Sequence, residues 1–75
     1  MIVEQEKIKM TCSLLRAYEN FLTRQAVKIY SLGLDTENCK EVFNVDENGL
    51  KVEIRINDIT VSVFHAREGF QICES

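Results

Sequence analysis

Leu50-Lys51-Val52-Glu53-Ile54-Arg55-Ile56 alternates apolar and polar side chains without a break, and Ile59-Thr60-Val61-Ser62-Val63-Phe64-His65 follows directly after Asn57-Asp58. A period of two marks a strand with one dry and one wet face. Asn57-Asp58 suits a two-residue hairpin turn, because both residue types tolerate positive φ. Counted outward from that turn, Ile56 meets Ile59, Ile54 meets Val61, Val52 meets Val63 and Leu50 meets His65, so the dry faces coincide. Phe64 then falls on the wet face, among Lys51, Glu53, Arg55, Thr60, Ser62 and Gln71.

Further strands extend from this hairpin on both sides. Asn48-Gly49 marks the preceding turn and places Phe43 and Val45 on the dry face. Ala66-Arg67-Glu68-Gly69 marks the following turn and returns Phe70 and Ile72 to the same side. The expectation is an antiparallel meander of four strands in the order 1-2-3-4.

Upstream the period changes. Residues 2 to 32 contain neither proline nor glycine and are rich in Glu, Gln, Lys, Leu, Arg and Ala, which lose least on entering a helix. Gly33 suits the left-handed position that closes a helix, with Leu34 as the apolar contact of the cap. Asp35-Thr36-Glu37-Asn38 reads as a turn. One helix is therefore expected from about residue 3 to 32, with no clear N-cap.

Along it Ile8, Cys12, Leu15, Glu19, Leu22, Ala26 and Ile29 recur at spacings of four and three, on one stripe broken only by Glu19. Leu14, Tyr18, Phe21 and Gln25, with Leu32 one heptad after Gln25, form a second stripe beside it, so the apolar arc spans about half the circumference at 100° per residue. A helix sunk deep into its sheet covers both stripes. Length favours another arrangement, since some 30 residues give a helix of about 45 Å against strands of about 24 Å. The overhang predicts a homodimer with Leu14, Tyr18 and Phe21 at the contact.

The fold class that follows is α+β, with one long N-terminal helix packed on a four-stranded antiparallel meander in two layers, as a single domain over residues 1–75. With 45% apolar and 28% charged residues the composition is that of a globular chain, which excludes disordered and collagen-like classes. Met1-Ile2-Val3 is the longest apolar run, and no basic segment precedes an apolar stretch, so the expectation is a cytoplasmic protein with no membrane partner. Cys12, Cys39 and Cys73 are odd in number, widely spaced and unaccompanied by a C-x-x-C pair, which points to reduced, structural thiols.

No phosphate-binding, dinucleotide-binding or zinc-protease motif is present, and Asp46-Glu47-Asn48-Gly49 has the composition of a calcium loop without its ligand spacing. His65 is the one histidine, and in the register above it sits at the margin of the dry face, with the Cys73 side chain on the opposite one. The chain is read as a non-enzyme with no catalytic residues, no cofactor and no metal.

Charge divides the chain. Residues 1 to 34 carry five basic and three acidic side chains, net +2, while residues 35 to 75 carry four and nine, net −5. Lys9, Arg16, Arg24 and Lys28 form a basic stripe on the outer helix face that is able to follow phosphates, but the whole chain is −3 and Glu19 stands beside Arg16. A lone aromatic, Phe64, among alternating charges fits the anchor of a protein contact better than a base-stacking platform, which needs two or three aromatics. The resulting expectation is a small cytoplasmic protein-binding protein of accessory, inhibitor or immunity type. It acts as a homodimer on a protein target, with Leu14, Tyr18, Phe21 and Phe64 at its interfaces. The alternative is a dimeric nucleic-acid-associated regulator that uses the basic helix face.

Overall fold

A computed structural model describes residues 1–33 and 38–73. In chain order the elements are β1 (Ile2–Val3), a 3-10 turn (Gln5–Lys7), β2 (Ile8–Met10), α1 (Cys12–Ser31), β3 (Cys39–Asp46), β4 (Gly49–Ile56), β5 (Ile59–Ala66) and β6 (Phe70–Ile72). Four strands form one antiparallel sheet in the order β1-β3-β4-β5, and β2 pairs with β6 in a second, two-stranded sheet. The class is α+β.

The hairpin at the centre forms as its sequence indicates. Asn57 and Asp58 both take positive φ, 52° and 67°, the backbone of a turn whose twist matches the strands it joins. Between β3 and β4 the loop residues are Glu47 and Asn48, one position earlier than expected. The Asn48 N–H donates to Asp46 Oδ1 at 2.8 Å. Phe43 pairs with Val52 and Val45 with Leu50, which keeps both on the core face.

Several further expectations are corrected. The helix begins at Cys12, not near residue 3: the Thr11 hydroxyl accepts the Leu14 N–H at 3.2 Å, the N-cap that a reading by composition overlooks. Ahead of it, the β-branched Ile2, Val3 and Ile8 favour ladders over a frayed helical turn. Val3 pairs with Phe43 and becomes buried, while Ile8 and Met10 pair with Ile72 and Phe70. The helix closes as expected, with Gly33 at φ 71° and its N–H donating to Tyr30 O at 3.0 Å. The cap contact of Leu34 and the turn over Asp35, Thr36 and Glu37 lie outside the described residues.

Phe70–Ile72 is not the fourth strand of a meander. Gly69 O accepts the Thr11 N–H at 2.8 Å and Lys7 O accepts the Cys73 N–H at 2.7 Å, ties that carry β6 onto β2 and away from β5. The fourth strand of the larger sheet is β1, on the far side of β3.

The third correction is a one-residue slip. Ile56 pairs with Ile59 and Arg55 with Thr60, but Ile54 then pairs with Ser62, Val52 with Phe64 and Lys51 with His65, so that Val61 is a bulged extra residue. A slip of one reverses every later side chain. Val63 and His65, expected inside, point outward, and Phe64, expected outside, points in. The slip lets Val61 and Phe64, three positions apart and on opposite faces of a regular strand, both pack against the core. An aromatic ring buries about 150–250 Å² and outweighs a valine, and the imidazole is left in water.

Tyr18, Phe21 and Ile29 of α1 join Phe43 of β3 and Leu50, Val52, Ile54 and Ile56 of β4 in one buried cluster. At 20 residues α1 measures about 30 Å, and the eight-residue strands beneath it about 27 Å. The expected overhang, and with it the reason for placing a second chain on the helix, is removed.

A candidate docking surface on the open side of the sheet

Three of the four residues that the sequence pattern assigns to interfaces, Tyr18, Phe21 and Phe64, come together inside the chain, while Leu14 lies apart from them, near Gly69. Tyr18 is 4% exposed and Phe21 9%, and Leu14 and Phe64 are half-buried. The Tyr18 ring meets Phe64 edge-on at 5.3 Å between centroids and Phe43 at 5.9 Å, while Phe21 lies 5.2 Å from Phe64. Edge-on pairs of this kind add to simple area burial. Tyr18 Oη donates to Glu41 Oε1 at 2.7 Å. Burial first, and then the Glu41 hydrogen bond and charge, push the phenol pKa far upward, so that Tyr18 is a permanent neutral donor. Of the two helical stripes, the one through Tyr18 and Phe21 faces the sheet, joined by Ile29 from the other. Leu15, 44% exposed, faces water with Glu19 and Ala26. Glu19 signals this in the sequence, since a charge within a stripe marks the wetter side.

With Phe64 turned inward, the outer face of the sheet takes a different composition. Residues opposite one another share a face, which gives three rows: Ile2, Asn44, Lys51 and His65; Val42, Glu53 and Val63; Lys40, Arg55 and Thr60. At the centre Arg55 Nη2 lies 2.8 Å from Glu53 Oε2, Lys51 Nζ lies 3.9 Å from Glu53 Oε1, and Thr60 Oγ1 donates to that same oxygen at 3.4 Å. The Glu53 side chain is 14% exposed. Burial pushes its carboxyl upward, but the Arg55 hydrogen bond and charge, with Lys51 and Thr60, outweigh this and hold the pKa below the usual glutamate range. Glu53 is thus ionised and neutralised in place. Lys40, Lys51 and Arg55 against one carboxylate leave this face positive in a chain whose net charge is −3.

The sheet also ends openly. Its order stops at β5, and among the described residues no strand pairs with the outer edge of β5. On the helix, Arg16, Arg24 and Lys28 are exposed, but Lys9 belongs to β2, so the expected basic stripe is one residue shorter. Arg24 Nε is turned back onto Asn20 O at 3.4 Å.

Between α1 and β3 a groove of about 300 Å³ is lined by Leu22, Ala26, Ile29, Cys39, Glu41 and Ile54, and Glu41 is already engaged by Tyr18. His65 is exposed on the outer face, while Cys73 follows β6 in the other sheet. Among the described residues no three His, Cys, Asp or Glu side chains are grouped so as to hold a metal ion, and no helix is long and apolar enough to cross a membrane. Comparison of the chain with protein-family models, curated proteins and solved structures finds no match.

Proposed function

We propose that this chain is a small cytoplasmic, non-enzymatic protein-binding protein that works as a homodimer and seats its target on the outer face of the larger sheet. The observation that carries this reading is the composition of that face: Val42 and Val63 flank a neutralised Glu53, with Lys40, Lys51 and Arg55 around them. An apolar centre within a charged rim is the general form of a protein interface. The sign of the rim selects a partner whose contact surface is acidic around an apolar centre.

Capture from a lysate of the native host tests the surface. A partner held in stoichiometric amount by the natural chain is expected to be lost with Lys40→Glu combined with Lys51→Glu, and kept with Arg16→Glu combined with Arg24→Glu. The reverse pattern contradicts the sheet face. So does a mobility shift of labelled DNA or RNA at about 50 mM salt that the helix variant abolishes, which would favour the nucleic-acid-associated regulator instead.

A further inference from the structure

We infer that the free edge of β5 takes a second copy of this chain, antiparallel and about a two-fold axis, so that the two larger sheets become one. The inference rests on the protein-binding reading for its class and names the partner and the contact for the homodimer.

β5 is eight residues long and forms the end of its sheet. In an antiparallel ladder alternate residues turn their N–H and C=O groups away from the neighbouring strand, so a free edge of this length presents a row of unpaired groups. Edges meant to stay single carry charges, proline, bulges or very short strands; β5 has its one bulge at Val61, which leaves residues 62–66 in regular register for a new partner. The sequence Ile59-Thr60-Val61-Ser62-Val63-Phe64-His65-Ala66 has no Asp, Glu, Lys, Arg or Pro, and its first half is dominated by β-branched residues, which favour strand pairing. The opposite edge of the sheet is treated differently: β1 covers part of β3 with a two-residue ladder, and Lys40 and Glu41 lie in the remainder.

A copy of the same strand is the occupant that this sequence suits. An isologous contact sets a surface against itself, so any charge near the axis meets its own like, and β5 has none to meet. Asp58 immediately precedes the strand and Arg67 immediately follows it, with Glu68 beyond. Antiparallel pairing therefore brings Asp58 of each copy toward the Arg67 end of the other. The nearest carboxylate inside the sheet, Glu53, is neutralised by Arg55 and Lys51. Ile59, 67% exposed, and Val63, 38% exposed, supply apolar surface along the seam. The regular stretch beyond the bulge, residues 62–66, spans about 17 Å, at the small end of specific interfaces, so a monomer–dimer equilibrium in the micromolar range or weaker is expected.

Sedimentation equilibrium of the full chain over a range of concentrations tests this. Val63 lies next to the strand midpoint, so Val63→Lys sets two lysines near each other across the axis and is expected to weaken the dimer about tenfold or more. Lys40→Glu with Lys51→Glu, which alters the proposed target face, is expected to leave the dimer unchanged, so the two readings fail separately. Circular dichroism confirms that each variant is folded, and Thr60→Lys at the exposed start of the strand replaces Val63→Lys should the latter unfold. Mixing Val63→Lys with Val63→Glu chains is expected to restore a dimer that neither forms alone. A natural chain that stays monomeric at about 500 µM, above the equilibrium expected for such an interface, would overturn the inference. The same holds if a folded Val63→Lys or Thr60→Lys variant dimerises as the natural chain does, or if the outer-face variant abolishes the dimer.

Discussion

Alanine in place of Tyr18 is expected to lower the folding free energy by about 3–5 kcal/mol, the usual cost of removing a buried aromatic side chain. For 75 residues the whole stability is on the order of 4–11 kcal/mol, so this one change removes a large share of it. The loss has two parts. The ring contacts Phe21, Phe43 and Phe64, and truncation opens a cavity at the meeting point of α1, β3 and β5. The hydroxyl satisfies Glu41, and Tyr18→Phe isolates that part, at about 1.5–3 kcal/mol for a hydrogen bond to a carboxylate. Urea unfolding followed by circular dichroism measures both variants. A deficit that is the same in dilute and concentrated samples identifies Tyr18 as a core residue. Full stability of the dilute Tyr18→Ala chain, with loss of self-association alone, would return Tyr18 to an interface and contradict the packing described here.

Gly49→Ala is expected to cost about 3 kcal/mol or more, through two penalties at one position. Its φ is +113°, outside what an L side chain adopts without strain. A Cβ there also collides with the carbonyl oxygen of Ala66 and lies 2.9 Å from Arg67 Cα. Both obstacles are backbone atoms, so relief requires the ends of β4 and β5 to part. Gly33 is the internal control. It too has positive φ, 71°, but a Cβ added there meets nothing within 4 Å, so Gly33→Ala is expected to cost only about 1 kcal/mol. Thermal melts of the two variants decide the matter, and similar losses at both glycines would contradict the close approach of Gly49 to Ala66.

Legibility in the sequence follows the strength of local patterns. The β4–β5 hairpin is legible because strict alternation and Asn57-Asp58 agree, and both are local. The Val61 bulge is not, because its cause is distant in sequence. It is selected by the aromatic cluster of Tyr18, Phe21 and Phe64, which exists only once α1 has docked. That single residue decides the candidate surface, since it exchanges Phe64 for Val63 and His65 on the outer face. The first ten residues mislead for a related reason. Their composition favours a helix, but Ile8-Lys9-Met10 alternates, and its strand partner lies about 60 residues later at Phe70–Ile72. Within α1 both stripes are legible, but the division between them is not: Tyr18 and Phe21 of one are buried together with Ile29 and, partly, Leu22 of the other, and Glu19 marks the exposed part.

Most depends on the register of β5 beyond the bulge, because that register buries Phe64, turns Val63 and His65 outward and defines both proposed surfaces. Two-dimensional NMR on a dilute sample reads it directly, through cross-relaxation between side-chain protons close in space. The expected result is contact of the Phe64 ring with the Tyr18 and Phe21 rings, together with His65 opposite Lys51 on the far face. Contact of the Val63 methyl groups with Tyr18, with the Phe64 ring free in solvent, would contradict it.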